Sequence, residues 1–262
     1  MARIYPICSS SMGNSTFIGT RGHGILVDVG CSFRALNNAL DLIDTKIENI
    51  EAVFITHEHI DHIKGLEQVL KHTKIPIFAP ELSAAQMKND SKIPRDAEIF
   101  DAREGYKSAA FEVSCFKTSH DSADSVGYRI IYNKELFGVC TDTGVVTEEA
   151  KKALGGCTTV LIESNYDEDM LRKNPNYSPL LKRRIMSDSG HLSNSGCAEF
   201  CESLVRGGTR HLILGHLSQE NNTPATAKNC VKSFLEQRGL FEERDFTLSA
   251  APVMTSGEYI AV

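Results

Sequence analysis

The chain has 262 residues, of which 41% are hydrophobic and 24% are charged. These fractions are close to globular averages, so the composition excludes a disordered or fibrous chain. The formal net charge is −6, which argues against an unspecific binder of nucleic acid or membranes, because such proteins carry a basic surface. A local basic patch is still compatible with this balance.

The first residues lack the apolar stretch of a signal peptide, and no later stretch approaches the length of a membrane span. We therefore expect a cytoplasmic protein with no membrane partner. The eight cysteines are scattered and form no Cys-x-x-Cys pair, which predicts buried thiols in a reducing compartment and a chemistry that does not use cysteine. Nothing in the sequence indicates the oligomeric state.

The hydrophobic pattern predicts two β-rich regions that are each followed by helices. In chain order, strands are predicted at residues 3–8, 16–19, 24–29 and 52–56, with helices at 36–43 and 63–72. Further strands are predicted at 75–79, 111–118, 126–132, 136–140, 158–163 and 211–214, before a helix at 226–237 and two closing strands. No linker, repeat or low-complexity tract interrupts residues 1–262, so we predict a single domain. Its predicted fold is α/β, a four-layer αββα sandwich.

The most informative stretch is 55–62, where a predicted strand runs into a loop with three histidines and an aspartate. Residues i and i+2 of an extended chain point to the same side, so His57 and His59 can bind one ion. Asp61 lies where the next helix begins and can cap that helix or bind an ion, and His62 can face a second ion. Imidazole and carboxylate ligands without a thiolate suit Zn²⁺, Mn²⁺ or Fe²⁺.

Three further candidates follow predicted strands, where loop ligands collect in α/β proteins: His120, Asp142 and His216. Each of them alone could be an ordinary loop residue. Together they would complete two metal sites, with His57, His59 and His120 on one ion, Asp61, His62 and His216 on the other, and Asp142 between them. Two such ions can polarise an electrophile, generate a bound hydroxide and stabilise a leaving oxygen.

The order of these motifs resembles that of the metallo-β-lactamase superfamily over nearly the whole chain. The resemblance implies that Asp28 supports the metal-binding loop without binding metal itself. The sequences SSSMGNS at 9–15, THEH at 56–59, GHLSN at 190–194 and NNTP at 221–224 further resemble the bacterial YycJ/WalJ/VicX group. That resemblance implies a nuclease-like hydrolase with a preference for DNA exonuclease chemistry.

The superfamily core serves many substrates, so the substrate class must be inferred from residues outside it. His191 precedes a predicted helix that opens near Ser193 or Asn194, and both are good N-cap residues at an end that favours anions. By its resemblance to the histidine loop of tRNA-processing metallohydrolases, His191 is predicted to protonate the leaving oxygen, with Ser193 and Asn194 near the substrate. The alternative is that His191 only packs the loop.

A basic segment precedes this histidine. Residues 171–187 include five basic residues and no acidic one, which indicates contact with a phosphate backbone through Lys182, Arg183 and Arg184. A solvated helix face is the alternative explanation for such a run of charges.

These features predict a dinuclear metal-dependent phosphodiesterase that acts on nucleic acid, specifically a DNA exonuclease. In this hypothesis a metal-bound hydroxide, oriented by Asp61, attacks phosphorus, and His191 assists the departing oxygen. One alternative is an acyl hydrolase, such as a lactonase, a thioesterase or a β-lactamase-like enzyme, which would not need His191. The lack of an export signal argues against β-lactamase activity as its role. The other alternative is a regulatory module that keeps the fold without catalysis.

Overall fold

A computed structural model of the chain describes residues 3–255 and 260–261. The described residues divide into two compact units. The first unit comprises residues up to Cys115, the segment Ser122–Val126 and the described residues from Pro252 onward, and the second comprises Phe116–Asp121 and Gly127–Ala251. The single domain expected for residues 1–262 stays a prediction.

The secondary structure alternates between strands and helices. The strands, in chain order, are β1 (Arg3–Ser10), β2 (Gly13–Thr20), β3 (His23–Val27), β4 (Ile50–Phe54), β5 (Ile77–Ala79), β6 (Phe100–Asp101), β7 (Tyr106–Lys107), β8 (Phe111–Lys117), β9 (Val126–Tyr132), β10 (Glu135–Cys140), β11 (Thr159–Glu163), β12 (His211–Gly215), β13 (Thr247–Ala250) and β14 (Ile260–Ala261). The helices are α1 (Phe33–Asp41), α2 (Ile60–Ile63), α3 (Leu66–His72), α4 (Glu81–Asn89), α5 (Glu148–Leu154), α6 (Glu168–Lys173), α7 (Pro179–Ile185), α8 (Asn194–Arg206) and α9 (Pro224–Glu236).

The strands form two seven-stranded sheets. The first has the order β14-β1-β2-β3-β4-β5-β6, antiparallel from β14 to β3 and parallel from β3 to β6. The second has the order β13-β12-β11-β10-β9-β8-β7, and it is parallel from β10 to β13. Because parallel strands present their carboxyl ends at one edge of the sheet, the loops that leave β3 and β4, and those that leave β10, β11 and β12, collect at such edges.

Each sheet is covered by helices that bury an apolar stripe against it. In the first unit, α1 contributes Leu36 and Leu40 and α3 contributes Leu66 and Val69 to one hydrophobic cluster. In the second unit, α5, α8 and α9 pack on β10–β13 in a separate cluster. The predicted α/β class, with two sheets flanked by helices, is confirmed. No helix of the described residues is both long and apolar enough to cross a membrane.

The strands predicted from the sequence are present, with ends shifted by a few residues, whereas the helix predicted at 63–72 is interrupted. The interruption lies at Gly65, where a Cβ atom would lie 2.4 Å from the carbonyl oxygen of Cys31. Its N–H donates to the oxygen of Val29 at 2.9 Å, so the chain turns there instead of continuing as a helix. The pattern did not predict α4, because only Ser83 and Met87 of that helix are buried and its apolar periodicity is weak.

Candidate metal centre

The histidine-rich stretch after β4 brings four predicted ligands together within the first unit. His57 and His62 are buried, and His59 is half-buried as the N-cap of α2. The ring centroid of His57 lies 4.6 Å from that of His59 and 4.1 Å from that of His62. Asp61, in the first turn of α2, places Oδ2 3.5 Å from Nε2 of His62. This group is the histidine cluster.

One buried carboxylate orients the histidine cluster. Asp28 accepts hydrogen bonds from the backbone N–H of Thr56 at 2.8 Å and from the Thr56 hydroxyl at 2.9 Å. Its Oδ2 also lies 2.7 Å from Nδ1 of His62. Burial raises the pKa of the Asp28 carboxyl, and the neighbouring His62 opposes that shift. The supporting role implied by the resemblance agrees with these contacts.

The Thr56 hydroxyl extends this support to a second ring, because it lies 3.1 Å from Nδ1 of both His57 and His62. Asn14 contacts the cluster from β2: its Nδ2 donates to Asp61 Oδ2 at 3.3 Å and lies 3.1 Å from Nε2 of His62. Sequence reasoning did not identify this role of Asn14, although Asn14 belongs to the motif at 9–15. A glycine is required at Gly30, since a Cβ there would lie 1.7 Å from the oxygen of Asp61.

A second group of polar side chains lies at strand ends within the second unit. His120 follows β8, Asp142 follows β10, Glu163 ends β11 and His216 follows β12. His120 Nε2 lies 3.7 Å from Asp142 Oδ1, and His216 Nδ1 lies 3.5 Å from the same oxygen. His191 joins them, and its ring centroid lies 5.1 Å from that of His120 and 5.2 Å from that of His216. This group is the strand-end cluster.

The strand-end cluster is organised by Glu163, which is fully buried. Its Oε1 lies 2.8 Å from Nδ1 of both His191 and His216, and its Oε2 accepts from the N–H groups of Thr143 and Leu192. Burial alone would raise the pKa of Glu163, but the two imidazoles outweigh it and lower that pKa to about 2. Burial lowers the pKa of His191, and the charge of Glu163 more than compensates, so that pKa is raised.

Left-handed backbone conformations occur at site residues that are not glycine. Asp28, Asp142 and His216 have φ values of 62°, 55° and 53°. Each follows a strand, and the left-handed residue ends the extended chain and redirects the side chain. Such a conformation costs about 1 kcal/mol for a residue with a Cβ atom. Its occurrence at three candidate site residues is typical of functional sites, where the surrounding contacts hold the strain in place.

The chemistry of the two clusters fits divalent metal ions. Nδ1 of His62 faces a carboxylate, as does Nδ1 of His216, while Nδ1 of His120 lies 3.0 Å from the carbonyl oxygen of Gly190. Each of these nitrogens therefore carries the proton, which makes Nε2 the atom available to a metal. Oxygen and imidazole donors without thiolate suit Zn²⁺, Mn²⁺ or Fe²⁺. In the second unit, ligand atoms of Asp142, Glu163, His191 and His216 all lie within 4.8 Å of one another.

The residues predicted to bind substrate differ in their environments. Ser193 is the N-cap of α8, and its hydroxyl accepts from Gly196 N. Asn194 is 0% exposed, and its carboxamide oxygen accepts from Ser164 Oγ at 2.7 Å and from Asn222 Nδ2 at 2.8 Å. These hydrogen bonds commit the Asn194 side chain to an interior network that supports the loop, and its contact with substrate stays a prediction.

The basic residues of α7 are exposed or half-buried. Lys182 Nζ donates to the carbonyl oxygen of Arg172 at 2.7 Å, and Arg184 forms an ion pair with Asp121. Arg183 is exposed. These contacts leave Arg183 as the basic residue of the three most readily presented to a ligand, while Arg184 keeps 62% of its side-chain surface exposed despite its ion pair.

Comparison with known proteins places the chain in a family. Residues 23–217 match the model of the beta-lactamase superfamily domain. The match covers well over half of the sequence, so the chain belongs to this superfamily. Its two clusters contain groups of residues that could hold a metal ion.

Two relatives are similar along most of their length. The chain is 34% identical over 235 residues to the exodeoxyribonuclease YycJ of Bacillus anthracis, and the aligned region covers 89% of each protein. It is 32% identical over 244 residues to the exodeoxyribonuclease WalJ of Streptococcus pneumoniae, which covers 92% of this chain and 90% of that protein. Among solved structures, the metallo-β-lactamase fold protein YhfI of Bacillus subtilis matches with a TM-score of 0.69 at 15% identity, over 97% of this chain and 98% of that one. That likeness confirms the fold.

Proposed function

We propose that this protein is a metal-dependent exodeoxyribonuclease. The observation that carries the proposal is the pair of clusters in which buried carboxylates hold histidines for metal binding, in a chain similar along most of its length to two exodeoxyribonucleases. An acyl hydrolase could use the same ligands, so the ligands do not decide the substrate. The sequence identity to two exodeoxyribonucleases favours DNA. A regulatory module without catalysis is disfavoured because every predicted ligand is present.

We propose that this chain binds two divalent ions, either Zn²⁺ or Mn²⁺, with Fe²⁺ as a further candidate. The proposed ligands are those of the histidine cluster and three of the strand-end cluster: His57, His59, Asp61, His62, His120, Asp142 and His216. Bound ions would supply Lewis-acid activation of the phosphate and of the attacking water. The carboxylate of Asp61 would orient that water, and Asn14 would hold Asp61 through its hydrogen bond to Oδ2.

We assign proton delivery to His191. Phosphodiester cleavage releases an alkoxide, which is a poor leaving group unless it is protonated. Glu163 fixes Nδ1 of His191, so Nε2 is the nitrogen that can face the leaving oxygen, and the charge of Glu163 favours the protonated ring. Since Glu163 also orients His216, the same carboxylate would couple the acid to a metal ligand.

The test is a direct comparison of substrates with purified protein in Mn²⁺ or Zn²⁺. Single- and double-stranded DNA and RNA, labelled at either end, would be digested beside a lactone, nitrocefin and bis-p-nitrophenyl phosphate. We expect stepwise shortening of DNA from one end and no appreciable turnover of the lactone or nitrocefin. Asp61→Asn is the matched control and should be inactive on DNA. Turnover of the lactone with intact DNA would identify an acyl hydrolase, and no turnover of any substrate would favour the regulatory module.

A further inference from the structure

The helix α7 is unusual because none of its residues is buried. Leu180 is 71% exposed, Leu181 is 36% exposed, and Met186 at its C-terminal end is 38% exposed. A helix of seven residues is too short to be stable alone and normally gains its stability by burying an apolar face. In this helix Leu180 and Leu181 are exposed to solvent, and Ile185 is only half-buried.

The C-terminal end of α7 is attached to the strand-end cluster. The backbone N–H of His191 donates to the carbonyl oxygen of Ile185 at 2.9 Å. A Cβ atom on Gly190 would lie 2.2 Å from that same oxygen, so only glycine permits the contact. The oxygen of Gly190 in turn accepts from Nδ1 of His120. The C-terminal end of α7 is therefore held by the backbone of the proposed acid. The adjacent Gly190 is in turn held by a proposed metal ligand, His120.

Apolar and basic side chains share one face of α7. Residues three and four positions apart lie on the same side of a helix, so Leu180 is next to Arg183 and Arg184. Arg183 is exposed, and Arg184 is 62% exposed beside Asp121. Residues 171–187 contain no acidic residue, so nothing within this segment neutralises the face. An apolar surface flanked by guanidinium groups matches a chain of flat bases joined by phosphates.

We propose that α7 is a docking surface for the unstacked bases at a DNA end, with Leu180 against a base and Arg183 against a phosphate. This proposal rests on the proposed exodeoxyribonuclease function and names the part of the DNA that would contact α7. Leucine and methionine side chains can contact base faces once stacking is broken. In duplex DNA those faces are covered by neighbouring bases, so α7 would hold the terminal nucleotides after the end has frayed.

The deciding experiment combines a change in the protein with a change in the DNA. The protein variant is Leu180→Ser, and the matched control is Leu82→Ser on α4, where the leucine is 60% exposed. The DNA is a duplex with either natural nucleotides or abasic residues at the terminal three positions of both strands at both ends. We expect Leu180→Ser to lower kcat/KM on natural DNA by about three- to tenfold, and Leu82→Ser to have no effect. On abasic ends, wild type and Leu180→Ser should be equal.

Arg183→Gln separates the phosphate contact from the base contact. Because abasic DNA keeps its phosphates, this variant should lose activity on natural and abasic ends by the same factor. Its dependence on salt should also be shallower by about one unit in the slope of log kcat/KM against log salt. An unchanged slope would refute the proposed contact between Arg183 and a phosphate.

Three outcomes would overturn the proposal. Leu180→Ser could match wild type on natural DNA, or it could lose the same factor on natural and abasic ends, which would indicate altered structure. It could also change the molecular mass measured by light scattering while DNA cleavage is unchanged, which would mark α7 as a protein interface. Each of these presupposes that wild type degrades DNA; a wild type that degrades none with metal present refutes the proposed function itself.

Discussion

The histidine cluster and the strand-end cluster contain the same kinds of side chain, but their residues come from differently arranged parts of the chain. The first takes its residues from one short stretch, 57–62, and is oriented by Asp28. The second collects residues from the ends of four strands and is oriented by Glu163. Each uses a single buried carboxylate to fix imidazole nitrogens, which would orient the proposed ligands before a metal ion binds.

The two carboxylates differ in their electrostatic balance. At Asp28, burial dominates and raises the pKa, because one imidazole and one threonine are its partners. At Glu163, burial also raises the pKa, but the charge of His191 and the hydrogen bonds from His191 and His216 outweigh it, and the pKa falls to about 2. The comparison indicates that Glu163 is held as a charged group that serves two histidines, whereas Asp28 serves mainly one loop.

The largest expected effects distinguish a proposed metal ligand, His57, from the proposed acid, His191. His57→Ala should strip metal and abolish cleavage of both DNA and bis-p-nitrophenyl phosphate. His191→Ala should keep its metal and slow DNA cleavage by about 10²–10⁴-fold. Its defect should be much smaller with bis-p-nitrophenyl phosphate, because p-nitrophenolate departs without a proton. Metal content by elemental analysis and the ratio of the two rates check this.

Equal slowing of both substrates by His191→Ala, or loss of metal from that variant, would contradict the assignment. The histidine would then be a ligand or a structural group, as its position among the possible ligands of the second unit allows.

A smaller effect is expected when either of the two buried carboxylates, Glu163 or Asp28, loses its charge. Glu163→Gln and Asp28→Asn keep side-chain size but remove the charge, and each should weaken metal binding by about 10–100-fold. Glu163→Gln should be the more severe, because its carboxylate orients two imidazoles. Titration of the metal-free variants with Zn²⁺ against a chelating indicator measures this. If Asp28→Asn proves equal or worse, the strand-end cluster does not depend on Glu163 in this way.

The smallest effect concerns a hydroxyl in the histidine cluster. Thr56→Val removes the group that contacts Asp28, His57 and His62, and it should lower the free energy of unfolding of metal-free protein by about 1–3 kcal/mol. Thr159→Val is the matched control. Among the described residues the buried Thr159 hydroxyl has no hydrogen-bond partner, so this change should be neutral or stabilising. Urea unfolding of both variants tests the difference, and equal losses would refute it.

The same contrast explains how much the sequence could predict. The histidine cluster was predictable because its candidate ligands lie within one stretch whose spacing is itself the signal. The candidate ligands at strand ends, His120, Asp142 and His216, were recognisable only as a set, through the order of motifs in a known superfamily. Strand positions were predictable from hydrophobic runs, since both sheets have buried strands.

What the sequence did not predict depends on contacts between distant residues. Asn194 occurs in a motif that indicated substrate binding, yet its amide is hydrogen-bonded to Ser164 and Asn222 inside the protein. The contact of Asn14 with Asp61 spans 47 positions. The exposure of the apolar side chains of α7 was also not predicted. The sequence of a short basic segment does not show whether other parts of the protein pack against it.

The proposed function requires that this chain degrades DNA only when divalent metal ions are bound. The most direct measurement is a titration of metal-free protein with Mn²⁺ while nucleotide release from end-labelled DNA is followed. We predict no release before metal is added, and a rise that is complete at about two ions per chain. Equal release in the presence of excess chelator, or fully loaded protein that leaves DNA intact, would contradict the proposed function.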